Sequence, residues 1–525
     1  MRSLAGRCLP ILLLLWLLNA VAAHAQTQAP PSKPLPGDPL ASELRNIPSG
    51  YSLQGNNFFA GKKQAPPPAQ VQGDPFTTAP GKDPFAAQSL LAPKPGEKKA
   101  GNAPAELFSL HGYVESRDRL RIKDQEAISL RQRLWLESEA VLYPAEEPGG
   151  NHRLRLFASG ALDSDPAASG LSDDVPLWDF YAEEVFLTID TDGVDLILGR
   201  KLLRIGTGDG INPLDLINPL DHRDPLATGR ADSRLPVLLG LGILPLPTFG
   251  NLQEASIEAV MIPFPQVNQL NAPGSPWEGR GLKLLRQTAA QGRLILDDQE
   301  KPSQSLQNAE FAARLAGTLY GWDLALIGYY GHLKSPVFSR SLSASAQGED
   351  KLRITPIHPS FAAVGFNFAK GLERSTIRGE LSLKPDLPVM LQGMTSLPGY
   401  VRRSVWEGVV GWDRTFGTNL YVNLQYFCTA LGDAGEVDGL VMDSIEHGLS
   451  YEINDLFWDD ALKSGMRGIS SLSGEGFTCE LYAEYDLTDN ILLAASLMLL
   501  GGPESGQYGQ FDDNDSITIR VRYSF

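Results

Sequence analysis

From residue 107 onward the chain is a succession of short segments in which apolar and polar residues alternate, joined by links that are alternately long and tight. Alternation at period two is strand patterning, with one face turned to an apolar medium and the other to a polar one. One set of strands is read at 107–121, 153–163, 193–204, 279–287, 321–333, 376–384, 418–430 and 489–500. Their return partners are read at 129–143, 179–189, 251–262, 310–320, 361–369, 403–416, 475–487 and 515–525. Links inside these pairs are mostly long, as at 205–250, 334–360 and 431–474. Links between pairs are mostly tight, as at 190–193, 320–322, 370–373, 416–418 and 486–489. A water-soluble sandwich gives no reason for that parity. Beyond the amino-terminus no uninterrupted apolar run reaches roughly 18 residues, which excludes an ordinary spanning helix. A membrane-crossing form must then be a closed barrel.

The amino-terminus reads as an export leader. Arg2 and Arg7 precede the apolar run 11–23, and Ala23-His24-Ala25 fits an A-x-A cleavage pattern, so Gln26 is expected to begin the mature chain. Cys8 lies ahead of the apolar run, which argues against a lipoprotein. Residues 26–105 are rich in Pro, Gly, Ala and Gln without an apolar face, and are expected to stay disordered. Their repeated Asp-Pro pairs, at Asp38, Asp74 and Asp83, are either turns in a linker or a docking motif for a periplasmic partner. The whole chain is 42% hydrophobic with a formal charge of −17, which becomes −19 without Arg2 and Arg7. Its mean hydropathy of −0.14 is too polar for a helical membrane protein but suits a barrel that hides a polar face in its lumen. An acidic pI near 4.9 argues against a nucleic-acid partner.

The last strand carries the most specific signal. In 514–525 the residues Ile517, Ile519, Val521, Tyr523 and Phe525 point one way, and Ser516, Thr518, Arg520, Arg522 and Ser524 the other. Ending on an aromatic residue, it resembles the closing strand of Gram-negative outer-membrane β-barrels, whose terminal Phe is read by the barrel-assembly machinery; Phe525 would be that signal. Long extracellular loops opposite tight periplasmic turns are the same signature. The stretch 199–224 holds a repeat, Asn212-Pro213-Leu214-Asp215 and Asn218-Pro219-Leu220-Asp221, after Gly206-Thr207-Gly208-Asp209-Gly210. This arrangement resembles porin-like outer-membrane proteins of unassigned substrate, and more distantly the alginate-export porins. Counting the segments gives an all-β, transmembrane antiparallel barrel of about 16 strands (16–18) from 106 to 525, wide enough for an aqueous channel, and the resemblance covers this part of the chain. Lipid and lipopolysaccharide would surround it.

Two features make the lumen individual. Face assignment puts Arg117 and Arg119 of the first strand inside, with Arg131 and Arg133 of the second, Arg153 and Arg155 of the third and Arg520 and Arg522 of the last. Closure makes these strands adjacent, so the arginines form one basic wall, unless Glu115, Glu137, Glu139 and loop aspartates neutralise it as a structural network. The repeat is either a loop folded by caps and turns or a constriction in which Asp209, Asn212, Asp215, Asn218, Asp221 and Asp224 face that wall. Asn followed by Pro is also a helix-start signal, so each repeat can open a short turn whose Asp stabilises the exposed amides. The Gly-rich run has no Lys in P-loop spacing, so a phosphate loop is weakly supported.

The segment 489–500 is apolar on both faces. Its inner side needs a packing partner, for which the apolar run 235–247 is available; otherwise that run is an extra strand pair that raises the count to about 18. Cys428 and Cys479, read on consecutive strands and facing outward, are candidates for a disulfide. His111, His222, His332, His358 and His447 stand in no nucleophile context, and no metal-ligand spacing occurs, so neither catalysis nor a cofactor is expected. The reading is a channel for small, anionic, hydrophilic solutes. Its rivals are an export or assembly component with a periplasmic partner and, further off, a barrel enzyme or adhesin.

Overall fold

The computed structural model describes residues 108–143, 153–169, 176–208, 210–223, 233–343, 351–393, 397–432 and 439–525. The leader and the 26–105 extension fall outside these, as do Asp209, Asp224 and the acids of 433–438. Alternating segments pair with their sequence neighbours as antiparallel strands. In chain order they are β1 (Phe108–Arg121), β2 (Ala127–Tyr143), β3 (Arg153–Ser164), β4 (Trp178–Asp190), β5 (Asp195–Lys201), β6 (Val237–Pro245) and β7 (Leu252–Ile262). After a helix α1 (Arg280–Ala290) and a short β8 (Leu294–Leu296) come β9 (Glu310–Leu319) and β10 (Trp322–His332). Next are β11 (Val337–Ser343), β12 (Lys351–Ile357), β13 (Ser360–Leu372), β14 (Ser375–Met390), β15 (Tyr400–Phe416), β16 (Leu420–Leu431) and β17 (Ile445–Phe457). The series ends with β18 (Leu462–Ser471), β19 (Phe477–Thr488), β20 (Ile491–Gly501) and β21 (Ser516–Ser524). All but β8, β11 and β12 belong to one 18-stranded sheet, and β21 pairs with β1, so the sheet closes on itself.

Closure follows from the registers. Ser524 to Ser516 lie opposite Tyr113 to Arg121, and Phe525 exchanges two backbone hydrogen bonds with Gly112, at 2.9 and 3.1 Å. A Cβ at Gly112 would sit 2.8 Å from the Phe525 ring, so glycine is what lets the last residue lie against β1. The outward sets are apolar and exposed: Phe108, Leu110 and Val114 on β1, and Ile517, Ile519, Val521, Tyr523 and Phe525 at the end of the chain. A sheet whose outer face is apolar and whose backbone is paired on both sides all the way round meets the condition that lipid imposes.

The sheet has 18 strands, where about 16 were expected. The run 235–247 is barrel strand β6, and the 431–474 stretch contains β17 and β18. Conversely, 279–287 is helical: its Gly281, Leu285 and Thr288 are buried at helical spacing, while Leu282 and Leu284 only mimic strand alternation. β6 escaped recognition because Leu239, Leu241 and Ile243 are buried on its inner face while Leu238 and Leu244 are exposed outside, so no alternation of polarity marks it. β18 has the opposite defect, since its outward positions include Ser464, Gly468 and Ser470. Inserting β6 also reverses β7, which ascends rather than descends. The link parity survives. The connections 202–236, 263–309, 333–359, 432–444 and 502–515 leave one rim, and 320–321, 373–374, 417–419, 458–461 and 489–490 turn at the other. Outside the barrel, β11 pairs with β12, and β12 runs parallel to β8, tying the 263–309 and 333–359 connections into a small sheet.

Candidate functional site: the lumen and its inward loop

The described part of the 202–236 connection, 202–208, 210–223 and 233–236, folds into the barrel. Leu203, Ile205, Leu214 and Ile217 are fully buried there. The two repeat asparagines hold its shape. Asn218 accepts the Leu203 N–H at 2.8 Å and donates to the Leu235 carbonyl at 2.8 Å, clamping the two arms together. Asn212 accepts the Leu214 N–H at 3.2 Å and donates to the Ile205 carbonyl at 3.1 Å. The first repeat makes a tight turn, with the Asp215 N–H on the Asn212 carbonyl at 3.2 Å. Each Asn side chain is spent on satisfying backbone groups that a buried loop would otherwise leave unpaired.

The tip crosses the bore. Glu380, on the inner face of β14, accepts the N–H groups of Thr207 and Gly208 through one carboxylate oxygen and that of Leu214 through the other, the last at 3.3 Å. Gly210 lies so close to Ser450 of β17 that a Cβ there would come within 3.3 Å of the Ser450 Cβ. Counting round the pairings, β17 is half-way round the circuit from β5, where the loop begins.

The loop carboxylates turn to arginines of the loop itself. Asp215 is ion-paired with Arg234, and Asp221 with Arg223 at 2.7 Å. Burial pushes the Asp215 carboxyl upward, against the pull of Arg234 and Arg204. A residue the sequence did not single out, Asn268, joins three connections. It accepts the Leu220 N–H at 2.7 Å, donates to Ser335 Oγ at 2.9 Å and contacts His222 Nε2 at 3.1 Å. Burial lowers His222 to about 4, so at neutral pH its ring is uncharged and accepts that amide. His358 is lowered to about 4 in the same way, and its Nδ1 meets the Leu333 carbonyl at 2.7 Å. No sequence signal distinguishes Asn268, because its role depends on which loops meet.

The arginines named from face assignment do share one sector of the inner wall. Arg117 is in register with Arg131 on one side and Arg520 on the other. Glu115 bridges Arg131 at 3.5 Å and Arg522 at 2.6 Å. Arg133 pairs with Asp163 at 2.7 Å and donates to the Tyr181 hydroxyl at 2.8 Å. Arg155 lies between Glu139 at 3.3 Å and Asp190 at 3.1 Å, and Arg153 is in register with Asp190. Arg520 pairs with Glu484 at 2.7 Å, and Arg119 donates to Thr518 at 3.3 Å. The ladder continues round the lumen as Arg467 with Glu480 at 2.7 Å, Lys463 with Glu452 at 3.6 Å, Arg314 with Glu258 at 2.9 Å, Lys384 with Glu407, and Arg378 with Asp413. Cross-strand partners such as Glu484 and Asp163 were recoverable only once registers were known.

Two further expectations change. The inner side of β20, Met498 and Leu500, packs with Ile211 of the loop, Trp277 and Tyr508, together with Ile128, Val409, Phe427 and Ile469; the 235–247 run is wall, not partner. Cys428 and Cys479 are free thiols. They lie on β16 and β19, which β17 and β18 separate, so the disulfide is overturned by the two strands that the sequence reading took for a loop. Strands separated by about 4.8 Å put the thiols well beyond bridging distance.

Residues 137–525 match the model of the family described as "Protein of unknown function (DUF1302)", and the chain belongs to that family. No curated protein matches it. Among solved structures it is similar to Salmonella typhi OmpF in complex with daunomycin, at 10% identity over 80% of this chain and 97% of that one, with a TM-score of 0.38. It is similar also to the outer membrane protein opdK from Pseudomonas aeruginosa, at 9% identity over 80% of this chain and 98% of that one, with a TM-score of 0.44. A variant of the Rh. blastica porin gives 12% identity over 80% of this chain and 100% of that one, with a TM-score of 0.35.

Proposed function

We propose that this DUF1302 member is a passive channel of a Gram-negative outer membrane, carrying small hydrophilic solutes, anions in preference to cations, through a lumen narrowed by the 202–236 loop. The observation that carries the reading is the inner wall, where cross-strand ion pairs stand in place of packed hydrocarbon on β14, β15 and β17–β19. Polar residues inside and apolar residues outside a closed sheet are the arrangement of a channel-forming barrel, and mutual pairing is what lets charges as buried as Lys384 and Glu407 persist on its inner wall. The outward face would contact lipid and lipopolysaccharide, and β21 with Phe525 would be the handle for assembly machinery.

The anion preference is motivated by the gathering of arginines in one sector. Three guanidiniums, Arg131, Arg117 and Arg520, stand side by side in register, and one carboxylate, Glu115, is shared between Arg131 and Arg522. A potential focused in a water-filled bore by low-dielectric walls is screened less than exposed loop charge, whose reach is about 10 Å at 0.1 M salt. The reversal potential across a salt gradient tests it. The intact channel is expected to favour anions, and Arg117→Ala with Arg131→Ala to move the reversal potential toward cations. Cation preference in the intact channel, or an unmoved potential in the double variant, would contradict the assignment.

A further inference from the structure

Glu380 is the one carboxylate of the β14–β15 wall whose use differs from its neighbours'. Glu407 meets Lys384 and Asp413 meets Arg378, each an ion pair between these adjacent strands. Glu380 has Asn367 and Val409 as register partners, and its two oxygens go instead to three loop amides, from Thr207, Gly208 and Leu214. The backbone that presents those amides is built for a close approach. Gly206 has φ +99° and Gly210 φ +68°, a region open to glycine and costly for other residues. A Cβ on Gly206 would stand 2.6 Å from a Glu380 oxygen, and one on Gly208 would meet the Ile211 carbonyl at 2.4 Å. Arg204 donates to the Gly208 carbonyl, which keeps the turn folded with a cation behind it. Successive N–H groups converging in a Gly-rich turn form a concave anion site.

We propose that the amides of Thr207, Gly208 and Leu214 form a carboxylate-binding site, that Glu380 occupies it as a tethered carboxylate and so latches the loop across the bore, and that a small soluble carboxylate fills the same site when Glu380 is removed. The inference deepens the channel reading and rests on it for its consequence, since a released loop widens the path. The Gly206-Thr207-Gly208 part of the Gly-rich run, which lacks the Lys of a phosphate loop, then has a use: it receives an anion from strand β14.

Gly210 and Ser450 supply a readout of the latch that does not depend on conduction. A pair Gly210→Cys with Ser450→Cys, in a full-length protein with Cys428→Ser and Cys479→Ser, brings the two Cβ positions to about the separation a disulfide requires, and the cost of Cys at the φ +68° position is common to every arm of the comparison. Oxidative cross-linking is expected to be fast in this protein, about tenfold slower when Glu380→Ala is added, and restored by millimolar acetate, which returns the deleted group to the amides. Asp386→Asn, a change at an exposed carboxylate of the same strand β14, is expected to leave the rate unchanged. Equal rates with and without Glu380→Ala would overturn the latch, and failure of acetate to restore the rate would overturn the anion site. In bilayers Glu380→Ala is expected to raise conductance severalfold. Silent bilayers together with an acetate-sensitive cross-link would reject the channel reading while leaving the latch in place.

Discussion

A chain truncated before Ser516 is expected to lose the folded barrel completely, with no heat-modifiable species and no protein in the outer-membrane fraction. β21 pairs with β20 on one side and β1 on the other, so its removal opens two edges at once. Unpaired backbone groups in hydrocarbon cost several kcal/mol each, and a strand of this length exposes enough of them to exceed the roughly 5–15 kcal/mol by which domains are stable. Deleting Phe525 alone is a smaller lesion, the loss of two hydrogen bonds to Gly112 and one lipid-facing ring, and is expected to lower the folded fraction without abolishing it. Gel migration before and after heating reads both. A truncated chain that still shifts on heating at the full-length level would remove β21 from the account.

Excising the loop is expected to have the second largest effect. Replacing 206–217 with a short Gly-Ser linker removes the segment that reaches Glu380 on β14 and the Ser450 position on β17. It also takes Ile211 from the apolar cluster with Val409, Phe427 and Met498, and withdraws the buried Leu214 and Ile217. Those three side chains represent about 1.5–3 kcal/mol each of burial, a loss that a closed barrel with every strand paired is expected to survive. The bore is then open where it was bridged. Liposome-swelling rates for oligosaccharides too large for the intact protein are expected to rise severalfold. Unchanged swelling, in protein that still migrates as a folded barrel, would show that the loop does not limit passage.

How much of this was legible beforehand depended on where polarity contrast existed. β1, β2, β3 and β21 were readable because their outward residues are apolar and their inward ones charged, and the same contrast placed Arg117, Arg131, Arg133, Arg155, Arg520 and Arg522 on the lumen side. β6 was hidden by an apolar inner face, Leu239, Leu241 and Ile243, that is covered from within. β17 and β18 were hidden by acids and serines on segments that register alone identifies as wall. Missing them misplaced the two cysteines as neighbours. Glu380 and Asn268 were beyond reach for another reason: each acts on backbone groups of a distant connection, 166 to 173 residues away for Glu380, and a carboxylate that accepts amides leaves no local pattern. The loop's asparagines were visible as turn formers, but their second use, as buried clamps between the loop's two arms, depends on contacts that no local pattern shows.

The central claim is that the closed barrel encloses a continuous aqueous path bridged by the inward loop. Single-channel recording of the purified, heat-modifiable protein in planar bilayers tests it most directly. The account predicts discrete conductance steps that are smaller than those of the Glu380→Ala variant in the same membrane. Folded protein that inserts yet gives no steps, in either form and at any salt concentration, would contradict it.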